Sequence, residues 1–332
     1  MDSITQIALG ASVATAVGFK PFGRKVLLTG AFLGTLPDLD VFIDYGNAID
    51  NYTSHRGFSH SLFVLTLLSL MLYYISIKLK PHFQENKIAL FLTIFLPLIT
   101  HPLLDTFTTY GTQLLWPLTS PPIAWHSVFI IDPLYTLPLL ISMLYLWFSH
   151  NNKRALMLNK LALLISCSYL VWGQIAQSLI TTRVQQDSLA KNSTILVMPT
   201  PFNSVYWRAL SYQEDSYYEA FTYVGDKTPL QWEHYNNNRH LIIDSQAELF
   251  TRLEWFSHRW LRFDNVQGKL HVTDLRLGVA NFHPFSFVIA EKLKGQWKEV
   301  EPIKLAIDEQ KQEKLLKRIK HQANLYWLEF TQ

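Results

Sequence analysis

Residues 61–79 read SLFVLTLLSLMLYYISIKL, an apolar run with no charge before Lys78. A helix needs about 20 predominantly apolar residues to cross the hydrocarbon core of a bilayer. Residues 88–104, 128–148 and 160–181 have the same character. Two weaker segments precede them, at 4–19 and 26–43. The first spaces Gly10, Ala14 and Gly18 four apart, and the second does so with Gly30 and Gly34. Stripes of small residues let membrane helices approach closely. These patterns predict an α-helical polytopic membrane domain of about six helices over residues 1–182. Either of the first two segments can be re-entrant. Residues 183–332 have ordinary soluble composition and predict a separate α+β domain.

The charges suggest how such a domain sits. Of 29 Lys and Arg, 10 precede Arg183. Lys20, Arg24 and Lys25 separate segments 1 and 2. Lys78, Lys80 and Lys87 separate 3 and 4, and Lys153, Arg154 and Lys160 separate 5 and 6. With six crossings these three loops share a side, and the positive-inside rule makes it cytoplasmic. Only Arg56 lies elsewhere. Asp2, Asp38, Asp40, Asp44, Asp50, Asp105 and Asp132 map toward the opposite face, and Glu85 alone does not. That face, with the region after residue 182, is expected to be extracytoplasmic in a bacterial inner membrane.

Several chemistries are disfavoured. A net charge of +3 is too small to suggest nucleic-acid binding. One cysteine, Cys167, permits neither an intrachain disulfide nor a Cys-based zinc site. The start Met1-Asp2-Ser3 lacks the basic n-region of a cleaved signal. There is no phosphate-binding Gly-rich loop. Gly57-Phe58-Ser59-His60-Ser61 lacks the second glycine of a nucleophile elbow, so Ser59 or Ser61 with His60 as base is the weaker alternative.

Three short motifs on the acidic face carry metal-ligand chemistry. In Pro37-Asp38-Leu39-Asp40 the carboxylates point the same way if the chain after Pro37 is extended. In His55-Arg56-Gly57-Phe58-Ser59-His60 two histidines can converge from a loop. In His101-Pro102-Leu103-Leu104-Asp105 the pair shares a face on a continuous helix, or Pro102 opens a new turn capped by His101. Mixed His and Asp sets suit zinc and neighbouring divalent ions. A bland reading exists for each: a polar helix end, interfacial side chains, a structural His–Asp hydrogen bond. Asp132-Pro133 reads best as a helix N-cap with proline in the first turn. His126 ranks low as a ligand, and Asp2 and Gln6 stand where they can support ligands.

Together with Asp2-Ser3-Ile4-Thr5-Gln6, Gly34-Thr35-Leu36-Pro37-Asp38-Leu39-Asp40 and Ile131-Asp132-Pro133-Leu134-Tyr135, these motifs resemble bacterial membrane-bound metal-dependent hydrolases of the YdjM-like type. The resemblance covers residues 1 to about 148 and extends into Pro199-Thr200-Pro201-Phe202-Asn203. It implies a hydrolase remotely similar to zinc-dependent phospholipase C and P1-type nucleases. The ligand set it implies is Asp38, Asp40, His55, His60, His101 and Asp105. Some relatives place His where Gln6 stands here.

In the C-terminal region Thr194–Met198, Tyr217–Val224, Lys269–Leu277 and Phe285–Leu293 read as strands. Leu241–Phe256 and Ile307–His321 read as helices. Asn203 and Arg208 follow the last apolar segment closely, and Arg208 suits an anionic ligand. The leading expectation is a divalent-metal hydrolase, zinc first, acting on a phosphoester or lipid, with Asp38 as proton acceptor. The alternative is a non-catalytic transporter or metal-binding scaffold. Internal repeats and a midplane site, which many transporters show, are not found.

Overall fold

The computed structural model describes residues 1–306 except 119, 151, 192, 243–247 and 279–281. The helix expected at Ile307–His321 lies outside the described residues.

Helix α1 spans Ser3–Phe22, its first turn capped by the Asp2 carboxylate, which accepts from the Ile4 and Thr5 amides. Gly23 ends it at φ 71°, a conformation that costs glycine little. Helix α2 covers Val26–Thr35 and continues as a 3₁₀ helix over Leu36–Phe42. The two helices touch backbone to backbone. A Cβ on Gly10 would lie 2.3 Å from the Gly30 carbonyl oxygen, and one on Gly34 would lie 2.7 Å from that of Gln6. The small-residue stripes read from the sequence therefore form this contact.

Helices α3 (Ala48–Ser54), α4 (Leu62–Leu79), α5 (Lys87–Asp105), α6 (Pro133–Phe148) and α7 (Asn152–Gln186) follow. Among the described residues, Leu62–Leu79, Phe83–Asp105 and Asn152–Gln186 are long and apolar enough to cross a membrane, and Pro133–Phe148 is a shorter apolar helix. The six expected crossings are thus not established. Segment 26–43 is a ten-residue α-helix with a 3₁₀ extension, because Pro37 and the two aspartates interrupt the apolar run.

The basic connections gather at one end of the bundle. The Arg24 guanidinium hydrogen-bonds the carbonyls of Trp147 and Ser149 and the Asn152 side chain. The rings of Phe22 and Phe83 meet at 5.3 Å. The other end holds the starts of α1 and α4 and the ends of α2 and α5. There the Asp2 amide donates to the Ile130 carbonyl at 3.0 Å.

Two antiparallel sheets dominate the region read as α+β. One has the order β1-β2-β3-β4 (Thr194–Pro199, Tyr206–Tyr212, Ser216–Tyr223, Glu233–Asn236). The other has the order β5-β6-β7-β8 (Leu261–Val266, Lys269–Asp274, Ser286–Leu293, Gln296–Lys304). Strands β1, β3, β6 and β7 fall on the segments expected from sequence; β2, β4, β5 and β8 are additional. In the range Leu241–Phe256 expected to be helical, Leu241 and Ile242 end a 3₁₀ turn (Arg239–Ile242) and the α-helix α8 covers Glu248–Ser257.

The first sheet packs Val197, Trp207 and Ala209 on Ala176, Ile180 and Val184 of α7. The second buries Phe263, Val272 and Phe287 with Leu253 and Phe256 of α8, and Ile49, Tyr52 and Tyr110 join that core. The Tyr52 hydroxyl also donates to Asp274 Oδ2 at 2.9 Å. The second sheet is thereby fixed over the end of the bundle that carries the acidic motifs.

Candidate metal centre

Pro37 opens the 3₁₀ turn, and that turn decides where the two aspartates go. At three residues per turn, positions two apart diverge by roughly 120°. Asp38 turns into the bundle and Asp40 turns toward α3. The expectation that both point the same way is corrected here, because the segment is helical and not extended.

Asp38, His60, His101 and Asp105 each offer one ligand atom, all within 4.8 Å of one another. Helix α5 continues through Pro102 to Asp105, so the i, i+4 reading holds and the His101-capped turn does not form. His60 Nε2 lies 3.1 Å from His101 Nε2. Each stands 3.4 Å from Asp38 Oδ1. They lie 3.3 Å and 3.5 Å from Asp105 Oδ2. His60, His101 and Asp105 are fully buried, while Asp38 is 17% exposed and forms the open edge.

The surroundings orient both imidazoles. His101 Nδ1 is 2.6 Å from the Gly34 carbonyl oxygen, so it must donate there. Ser59 Oγ donates to Asp40 Oδ2 at 2.6 Å and so accepts from His60 Nδ1 at 2.9 Å. In neutral rings both Nε2 lone pairs then face each other at 3.1 Å, a repulsion that a cation between them relieves. Among the described residues, Asp105 Oδ2 is buried without a hydrogen-bond donor, with the Arg56 Nε standing off at 3.4 Å, so this carboxylate oxygen keeps a lone pair for an ion. Ligand atoms about 2.1 Å from a shared tetrahedral ion stand about 3.4 Å apart. The residues therefore fit a divalent ion by donor type, lone-pair direction and spacing.

Asp40 and His55, expected in the same ligand set, form an adjoining pair. Asp40 accepts from His55 Nδ1 at 2.8 Å, from the Arg56 amide at 3.0 Å and from Ser59. With three donors committed, Asp40 holds Ser59 and hence His60 in place. His55 is 25% exposed and lines a neighbouring cavity.

Other residues complete the centre. Gln6 Nε2 donates to Asp105 Oδ1 at 3.0 Å, and the Met1 amine hydrogen-bonds the same oxygen. Asp2 caps α1, so its support is indirect. Arg56 is buried with Nε 3.4 Å from Asp105 Oδ2, and Nη1 donates to Thr108 Oγ1 at 3.2 Å. The bland sequence reading leaves Arg56 among interfacial side chains. The signal for a site role is that it is the lone basic residue away from the basic loops. Ser59 and the Gly34 carbonyl were missed as orienting groups, and backbone acceptors leave no sequence trace. Asp132 caps α6 by accepting from the Leu134 amide at 3.0 Å, as expected of Asp-Pro. Neither it nor His126 belongs to the cluster.

A family model described as "YdjM inner membrane protein" matches residues 1–180, the part that holds this centre. The inner membrane protein YbcI of Escherichia coli (strain K12) is 33% identical over 117 residues, 34% of this chain and 66% of that protein. The uncharacterized protein YfhP of Bacillus subtilis (strain 168) is 23% identical over 207 residues, 60% of this chain and 62% of that protein. The chain thus matches just under two thirds of the length of either relative. No solved structure matches it.

Proposed function

The chain belongs to the YdjM inner membrane protein family, and on that premise we propose that it is a metal-dependent hydrolase acting on a phosphoester or lipid at the outer face of the membrane. The observation that carries this reading is the buried convergence of Asp38, His60, His101 and Asp105 within 4.8 Å. A hydrolase needs a fixed donor set with one side open. Asp38 supplies the open side, and Gly34, Ser59, Asp40 and Gln6 hold the rest.

A divalent ion bound there, zinc by the His and Asp donors, would supply a water acidified enough to act as a nucleophile at neutral pH. The protein's own part is then positioning and proton transfer. His60 and His101 keep their Nε2 atoms directed inward. Asp38, the most exposed of the four, is placed to take a proton. Arg56 sets a positive charge beside Asp105, where negative charge would build on a phosphoryl group. The outer-face assignment, and the extracytoplasmic location of residues 183–332, rest on the Lys and Arg of the opposite end. The cluster sits at one end of the bundle, where a hydrolase meets headgroups, and this favours hydrolysis over transport, whose sites lie near the midplane.

The test is elemental analysis of the purified full chain beside His101→Ala, followed by a screen of phosphodiester and lipid substrates. Bound zinc in the parent, its loss in His101→Ala, and metal-dependent hydrolysis are expected. A folded parent that takes up no metal, or a metal-loaded parent that turns over none of these substrates, overturns the reading.

A further inference from the structure

Beside the centre lies a cavity of about 880 Å³, walled by the membrane half on one side and the sheets on the other. Asp40, His55 and Arg56 line its inner side, so it reaches the centre through residues that already touch the cluster. Its opposite wall carries Arg208 from β2, Arg276 after β6 and Lys304 from β8.

Two of these cations are in an unusual state. Arg56, Arg208 and Arg276 are almost completely buried. Among the described residues, Nη2 of Arg208 and Nη1 of Arg276 have no hydrogen-bond partner, whereas Arg56 turns its Nε to Asp105 Oδ2 at 3.4 Å. Glu219 and Asp274 take other donors of Arg208 and Arg276, so their charge is offset while their hydrogen-bonding capacity is not. Lys304 has no carboxylate partner among the described residues and lies over the Phe285 ring at 4.4 Å. A buried arginine holding an unused donor is costly unless an acceptor arrives. Arginine and lysine around one cavity are the usual cradle for a phosphate-type oxyanion.

The rim has the opposite character. Val41, Phe42, Ile43 and Ile130 line the cavity and are exposed, Phe42 to 83%. They continue onto Leu39, Ile131 and Leu134, which are exposed on the outside of the bundle. The chamber wall also holds Asp40 and Asp44, so an exposed apolar strip leading to the unused arginine donors suits an amphiphile better than a free phosphate.

We propose that this cavity binds the phosphate headgroup of an anionic membrane lipid, with Arg208, Arg276 and Lys304 as its donors and residues 41–43 and Ile130 guiding its hydrocarbon chain. This rests on the hydrolase reading for its meaning, since it names the lipid phosphate as substrate class, but binding does not require metal.

The experiment uses the full chain in phosphatidylcholine nanodiscs, stripped of metal by chelation. Binding is measured for phosphatidic acid, diacylglycerol and glycerol 3-phosphate. Phosphatidic acid should bind at least about tenfold more tightly than the other two. Lys304→Ala, at an exposed site, and Arg208→Lys, which keeps the pair with Glu219, should each weaken it about five- to tenfold. Phe42→Ser should weaken phosphatidic acid and leave glycerol 3-phosphate unchanged. Equal binding of diacylglycerol, equal binding of glycerol 3-phosphate, or indifference to both cationic substitutions in folded protein overturns the proposal. Because metal is absent throughout, failure of the hydrolase reading leaves these results standing, and the reverse also holds.

Discussion

Replacing Asp40 with asparagine separates a ligand from a group that steadies one. Asp40 Oδ2 accepts from the Arg56 amide at 3.0 Å and from Ser59 Oγ at 2.6 Å, and Oδ1 accepts from His55 Nδ1 at 2.8 Å. In the Asp40→Asn variant the side-chain carbonyl oxygen can stand where Oδ2 was and keep the first two bonds. The new amide then faces His55, which can accept by changing tautomer. No bond need be lost, but the charge is. Hydrogen bonds to a charged group contribute about 1.5–3 kcal/mol and those to a neutral one about 0.5–1.5 kcal/mol. The difference reaches the centre chiefly through Ser59 to His60 Nδ1, with Asp40 Oδ2 itself 3.9 Å from that nitrogen. Loss of such an outer partner lowers metal affinity by about 10- to 100-fold. With every bond retained, the low end applies: about tenfold, or about 1.4 kcal/mol. The assay is zinc competition against a chromophoric chelator, with stoichiometry from elemental analysis, on purified full chain. Asp40→Asn should keep the parent's stoichiometry and show the tenfold loss. A folded variant that binds no zinc would make Asp40 a direct ligand, and unchanged affinity would make it irrelevant; either refutes the assignment.

Gly34→Ala tests the close helix contact. A Cβ there meets the Gln6 carbonyl oxygen at 2.7 Å, so α1 and α2 must separate and carry the Gly34 carbonyl away from His101. A loss of about 1–3 kcal/mol and weaker zinc binding are expected, read by thermal unfolding and the same competition assay; a variant as stable as the parent would deny the contact. His126 tests acid sensitivity outside the spanning helices. Burial first, then Arg276 and His258, pushes its imidazole down to about 3. The folded form holds the ring neutral while the unfolded chain takes up a proton near pH 6.5, so stability falls as pH drops from 6.5 toward 3, by about 1–2 kcal/mol at pH 5. His126→Gln should flatten that part of the melting profile, and an equally steep profile in the variant would count against the assignment.

The apolar runs at 61–79, 88–104 and 160–181 were legible because a lipid-facing helix must be apolar over its whole length. The cluster was legible in part, for the same reason in reverse: a His or Asp at a helix end beside lipid stands out. What could not be read was how the ligand set divides. Asp38 and Asp40 go separate ways only because the chain after Pro37 winds as 3₁₀. Strand β2 escaped notice for a different cause. Its central positions are buried on both faces, and Arg208 sits among them paired with Glu219 of β3, so the alternation that marks a half-exposed strand is missing. Strand β8 is an edge strand, polar and carrying Pro302, as edges tolerate.

Helix α7 is longer than a bilayer requires. Its 35 residues extend about 52 Å, against a hydrocarbon core of about 30 Å. About four turns would therefore project or tilt where α7 crosses a bilayer, and the first sheet is packed on its C-terminal turns. The second sheet is tied instead to Tyr52 and Arg252 contacts on α3. One roof thus stands on two legs of different kinds, a long apolar helix and a latch of side-chain contacts. In a bilayer that α7 crosses, a change of thickness would act on the tilt of that helix and leave the latch contacts in place. The gap between the two halves would in this way be coupled to membrane thickness, with lipid chain length acting as a physical control on the chamber above the centre.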